Sequence, residues 1–124
     1  MTLSRVRMVL ARNDEFPEGS AAHGYDLVVP LDASGKLDPA AWKNHTKDCV
    51  VHRFWANEDD QKGLLRHTGK SWFIDYDVSR EGDEEPFFKL DRHEVKVGEY
   101  LTVVEADGDP HTFRIVSVEP FAKK

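Results

Sequence analysis

From Leu3 onward, apolar and charged side chains alternate: Val6, Met8 and Leu10 fall on one face of an extended chain, Arg5 and Arg7 on the other. A period of two predicts a half-buried strand over residues 3–12. Asn13 to Gly24, with Pro17, Gly19, Ser20 and Gly24, reads as a loop whose Phe16 folds back on the core. Tyr25, Leu27, Val29 and Leu31 then alternate with Asp26, Val28 and Pro30, which predicts a second strand. Its proline, lacking a ladder donor, marks an edge or the strand's end.

Asp38 before Pro39 is the clearest helix start, since the carboxylate can accept from free backbone N–H groups and proline is preset for the first helical turn. The helix runs to about His45 or Lys47. Leu37 and Trp42 form a hydrophobic staple, and two turns need Trp42 docked on the sheet to persist. Cys49 to Trp55 returns to strand composition, with Cys49, Val51, Arg53 and Trp55 on one side and Val50, His52 and Phe54 on the other. After an acidic turn over residues 58–63, Leu64–Thr68 and Ser71–Asp77 read as a hairpin. Trp72, Ile74 and Tyr76 share one face of it; Ser71, Phe73, Asp75 and Asp77 share the other. The charged segment 78–86 is turn-like, and Phe87–Leu90 is a candidate short strand.

The last quarter carries the strongest hairpin signal, two β-rich runs flanking Asp107-Gly108. A two- or four-residue loop puts Tyr100, Thr102, Val104, His111, Phe113 and Ile115 on a core face. Leu101, Val103, Val116 and Val118 then lie on an outer face apolar enough to need a cover. That cover is either the Trp42 helix with the long loops or a second copy of the chain. A three-residue loop with a bulge would scramble these faces.

About seven short strands and one short helix predict a mainly β protein. The leading architecture is a small, closed or partly open antiparallel β-barrel, which leaves few edges and hides the apolar face. A β-sandwich, or an α+β sheet with the helix on one face, is the alternative. A length of 124 residues, 40% hydrophobic and 32% charged, fits a single domain over 1–124 with a core of its own.

The formal net charge of −6 argues against nucleic acid as a partner, and Arg5, Arg7 and Arg12 read as solvated charges protecting an edge strand. The alternating start has no apolar run of the kind found in a signal peptide or membrane span. Cys49 is the only cysteine, which excludes an intrachain disulfide and suits a reducing compartment.

No segment matches a motif tied to one chemistry. The six histidines, His23, His45, His52, His67, His93 and His111, show no His-x-His or His-x-x-x-His spacing. A set drawn from distant strands, such as His52, His67 and Asp75, is the metal arrangement left open, and no metal is predicted. Asp75 and Asp77 could divide acid and base roles, although aspartates facing out from an aromatic strand are ordinary sheet patterning. Arg53 and Trp55 pair a guanidinium with an indole, suited to a carboxylate or a planar ligand; the plainer alternative is that Arg53 pairs with the acidic turn. Cys49 reads as a core residue. No phosphate-cradling glycine loop is present, and no cofactor is indicated.

Phe16-Pro17-Glu18-Gly19-Ser20, His23-Gly24-Tyr25, Pro30-Leu31-Asp32, Arg53-Phe54-Trp55, Asp75-Tyr76-Asp77, Gly98-Glu99-Tyr100 and His111-Thr112-Phe113-Arg114 together resemble a family of short uncharacterised bacterial proteins. The resemblance spans nearly the whole chain. It implies a cytoplasmic bacterial single-domain protein and brings no activity, cofactor or catalytic residue with it.

The resulting expectation is a non-enzymatic binding or interaction module for a small molecule or protein, its contact region near His52, Arg53, Trp55, His67 and Asp75. The competing expectation is a small hydrolase-like enzyme using a metal or a His/Asp pair from the same strands. A third is a homodimer built through Leu101, Val103, Val116 and Val118.

Overall fold

The computed structural model describes residues 3–13, 16–69, 71–76, 85–86, 94–104 and 110–121. Among these residues, eight strands, β1 (Leu3–Leu10), β2 (Ser20–Pro30), β3 (Val50–Phe54), β4 (Gln61–Thr68), β5 (Ser71–Asp75), β6 (Glu85–Pro86), β7 (Tyr100–Val104) and β8 (Pro110–Phe121), accompany one five-residue helix, α1 (Pro39–Lys43). All pair antiparallel in one sheet of order β6-β5-β4-β3-β2-β1-β8-β7. Seven of the strands are five residues or longer, and the sheet curls strongly into a half-barrel. Its ends, β6 and β7, approach within 8 Å between Cα atoms without a ladder between them. The fold is therefore the mainly β, partly open barrel that the alternation predicts.

Period-two patterning carries through to burial. Met8, Tyr25, Leu27, Val51, Leu65, Trp72, Ile74, Phe113 and Ile115 fill the concave side, all 2% exposed or less. Cys49 and Arg53 lie on the same side of β3 and its approach, and both are buried. Two irregularities bend the sheet. Between Val9 and Leu10 the β2 partner jumps from Gly24 to Ser20, and between Arg7 and Met8 the β8 partner jumps from Ser117 to Ile115. Bulges of this kind sharpen local twist and curl a sheet. At Gly24 the strands come so close that a Cβ would run into the Met8 carbonyl and stand 2.9 Å from the Phe54 ring.

Asp38 caps α1 as its sequence predicts: its side chain accepts from the N–H groups of Ala40 and Ala41 at 3.1 and 3.2 Å. The helix ends at Lys43, earlier than expected, and docks through Trp42. The Trp42 indole N–H donates to the Leu65 carbonyl at 2.8 Å, and its ring meets Trp72 edge-on at 6.1 Å.

Several expectations need correction. β1 lies between β2 and β8, so Arg5 and Arg7 project from a central strand and guard no edge. Arg7 pairs with Asp26 at 3.1 Å and lies 4.5 Å over the Phe54 ring; Arg5 lies 5.2 Å over Phe121. Residues 61–63, read as a turn, open β4, because the β3 ladder continues to Arg53–Gln61. Glu85–Pro86, read as part of a turn, pairs with Phe73 and Ile74. The candidate strand Phe87–Leu90 lies outside the described residues, as does Asp77.

The largest correction concerns the last hairpin. Its pairs run Tyr100–Arg114, Leu101–Phe113, Thr102–Thr112, Val103–His111 and Val104–Pro110, so five residues, an odd number, separate the last pair. An odd loop turns β7 over relative to the two- or four-residue reading. Leu101 (2% exposed) and Val103 (0%) therefore join Phe113 and Ile115 in the core, and Tyr100 is 52% exposed. Val116 sits at the β8 bulge and Val118, beyond it, packs against the core edge. Leu101, Val103, Val116 and Val118 form no common outer face, and the dimer surface expected there does not exist.

Candidate functional site

The inner face of the half-barrel ends in two differently built mouths. At one, α1 brings Trp42 to His67 and Trp72: the His67 ring centroid is 4.3 Å from Trp72 and 5.9 Å from Trp42. At the other, β2 and β8 bring His23 and His111 around the indole of Trp55, the residue that follows β3. His23 meets Trp55 edge-on at 4.4 Å, His111 lies at 6.0 Å, and Phe113 stands beneath at 6.3 Å. Phe16, folded back from its loop as predicted, covers His23 at 4.8 Å.

Arg53 gives this second mouth its charge. It is 8% exposed, faces inward from β3 opposite Tyr25, and lays its guanidinium 4.4 Å over the Trp55 ring. Glu58 holds it from the turn that follows, Arg53 Nη1 donating to Oε1 at 3.2 Å. The pairing with the acidic turn is thus realised, and the stacking is realised with it. The turn closes through the Glu58 N–H donating to the Trp55 carbonyl at 3.1 Å, with Asn57 in the left-handed region at φ 68°. Arg53 is buried, yet the Glu58 side chain is 53% exposed.

Of the five predicted site residues, the structure brings only Arg53 and Trp55 together. His67 also faces inward but belongs to the opposite mouth. His52 and Asp75 face outward, because residues one apart on a strand point to opposite sides. His52 instead pairs its Nε2 with Asp60 Oδ2 at 3.1 Å and lines an outer groove of about 520 Å³ with Arg5, Arg7, Asp26 and Lys62. A His52–His67–Asp75 metal set is therefore not assembled. Among the described residues, no three His, Cys, Asp or Glu side chains are arranged to hold a metal. His93 lies outside them.

Three residues that build the mouth were not among those predicted: His23, His111 and Glu58. His23 stands one step beyond the Gly24–Phe54 pair and so opposite Trp55, a placement that requires the β2–β3 register. The Ser20 Oγ, 2.7 Å from His23 Nδ1 and accepting from the Ala22 N–H at 3.3 Å, fixes the imidazole within the β2 bulge.

Cys49 is fully buried, and its thiol is pushed up to about 12 by desolvation, with a smaller contribution from the nearby Asp48 carboxylate. A thiol held protonated is a packing residue at neutral pH. No helix among the described residues is long and apolar enough to cross a membrane. Comparison of the chain with family models, curated proteins and solved structures yields no match.

Proposed function

We propose that this protein is a non-enzymatic binding module whose Arg53–Trp55 mouth takes a small carboxylate-bearing ligand. One observation carries the reading: a buried guanidinium, already lying over an indole, is held by a carboxylate that is itself half in solvent. Glu58 stands where an incoming carboxylate would sit, and exchanging one carboxylate for another leaves the arginine satisfied throughout. Guanidinium forks match carboxylates in geometry, and stacking on the indole reduces the freedom lost on binding. His23, His111 and Phe16 would then form the rim that selects the remainder of the ligand. For its compartment we propose a reducing cytoplasm, a reading supported by the single cysteine.

The test is an NMR titration of the intact chain with succinate, benzoate and N-acetylglycine, following backbone amides and the three indole N–H signals. Saturable shifts at the Trp55 indole and the Arg53 and Glu58 amides are expected. Glu58→Gln should tighten binding several-fold by removing the internal competitor. Shifts confined to other surfaces, or none with any probe, would sink the reading, and turnover of a probe would replace it with the hydrolytic one.

A further inference from the structure

A second groove, of about 780 Å³, lies outside the barrel between the loop after β1 and the outer face of β8 and β7. Arg12, Arg114, Tyr100, Thr112 and Ser20 line it, with Glu18 as its acidic member. Its volume is that of an ordinary small-molecule site. Arg114 is central: in the ladders it stands opposite Tyr100 on one side and Val9 on the other. Arg12 leaves the end of β1 beside Thr112, whose carbonyl accepts from the Ala11 N–H at 3.0 Å. The opposite wall is a tied turn: Asn13 and Gly19 N–H groups both donate to the Phe16 carbonyl, at 3.0 and 2.9 Å.

Three of the six arginines among the described residues are engaged, and Arg12 and Arg114, like Arg66 of β4, are not; what sets these two apart is that they share one groove. Arg7 is held by Asp26, Arg53 by Glu58, and Arg5 lies over Phe121. Among the described residues, no carboxylate or aromatic face engages Arg12 or Arg114. This occurs in a chain with 23 acidic and 17 basic residues, where carboxylate partners are in excess. Among the described residues that line the groove, two open guanidiniums face the single carboxylate of Glu18, an excess of one positive charge on an acidic protein.

We propose that this groove binds a small phosphate-bearing ligand, its oxyanion shared between Arg12 and Arg114 and its body resting against the exposed Tyr100 ring. Two forks approaching from different elements suit a tetrahedral group with three free oxygens, whereas a lone carboxylate has two oxygens to divide between them. The Thr112 hydroxyl, 3.0 Å from that of Thr102, is placed to add a neutral contact. The proposal is independent of the Arg53 mouth, which opens on the inner face.

The probe is sodium pyrophosphate, titrated at fixed ionic strength against the intact chain and followed by amide shifts and calorimetry. Saturable binding is expected, with shifts at Gly19, Ser20, Thr112 and Arg114. R12Q/R114Q should weaken it about a hundredfold or more, since each of the two lost charge-assisted hydrogen bonds is worth about tenfold. E18Q should tighten it by about twofold to fivefold, because removing one exposed like charge is a modest effect. R66Q, an exposed arginine of β4 that does not line the groove, should leave it unchanged. Both groove arginines are exposed, so the variants are expected to keep the wild-type melting temperature; R114K, which keeps the charge but loses the fork, provides a second variant. Absence of saturable binding, unchanged affinity in both R12Q/R114Q and R114K, or equal weakening by R66Q would overturn the proposal.

Discussion

Leu101 stands directly across the last hairpin from Phe113, and both side chains lie in the core. That pairing distinguishes an odd connection from an even one. Leu101→Ala should therefore cost about 2–5 kcal/mol in urea denaturation, as for other large-to-small core changes. Tyr100→Ser should change stability by about 0.5 kcal/mol or less, as exposed sites do. An even loop predicts the reverse order.

The hairpin also shows where sequence patterning stops. Alternation placed Val6, Met8, Arg53, Trp72 and Ile74 on their correct sides because each strand's faces are set within the strand itself. Relating the faces of two strands needs the loop count, and Asp107-Gly108 is compatible with several. The mouth was half legible for the same reason. Arg53 and Trp55 share a face two residues apart, whereas His23 and His111 reach Trp55 through the β2 bulge and the β8 ladder. The interleaving of polar and aromatic residues on central strands points to His52 and Asp75 as well, and strand parity sends both outward.

Gly24 permits a close approach between β1 and β2. Gly24→Ala places a methyl against the Met8 carbonyl and the Phe54 ring, a clash with backbone that rotamer changes do not relieve. A loss of about 1–3 kcal/mol or more is expected, the usual cost of overpacking. Thermal melting checks it, and Gly35→Ala, with open space around it, separates steric crowding from the strain of that glycine's φ of 84°.

Trp42 and Asp38 anchor a helix too short to persist alone. Asp38→Ala should cost about 1 kcal/mol, typical of a lost N-cap. Trp42→Phe keeps a ring over Trp72 but drops the bond to the Leu65 carbonyl, at a further cost of about 0.5–1.5 kcal/mol. Hydrogen exchange should show Trp42→Phe loosening residues 39–43 together with the amides around Leu65, because the indole joins the helix to β4.

Cys49 should be inert to Ellman's reagent at pH 8 in the folded protein and react at once in urea. Its folded thiol, pushed from 9.0 to about 12, releases its proton later than the unfolded one. The unfolded chain therefore binds fewer protons between those values, and stability falls as pH rises there. The contribution is complete below pH 9 and lost progressively towards about 12. Urea midpoints from pH 8 to 10.5 should decline in the wild type. Cys49→Ser should lower the midpoint throughout, by about 1–3 kcal/mol for a hydroxyl in an apolar site, and flatten the alkaline decline.

Arg53→Lys tests the mouth by retaining charge and discarding shape. A lysine ammonium is compact and cannot lie flat on Trp55 while forking towards Glu58, so both contacts weaken together. A stability loss of about 1–2 kcal/mol is expected, the scale of a desolvated cation–π contact, with a shift of the Trp55 indole signal. Glu58→Gln alone should cost about 1 kcal/mol or less, because its side chain is 53% exposed and water screens the pair. In a double-mutant cycle Arg53→Lys and Glu58→Gln should couple by a few tenths of a kcal/mol, whereas Arg53→Lys and Trp55→Phe should couple more strongly. The reverse ranking would mean that Glu58, and not the indole, fixes the guanidinium, and the mouth would then have no preset arginine to offer a ligand.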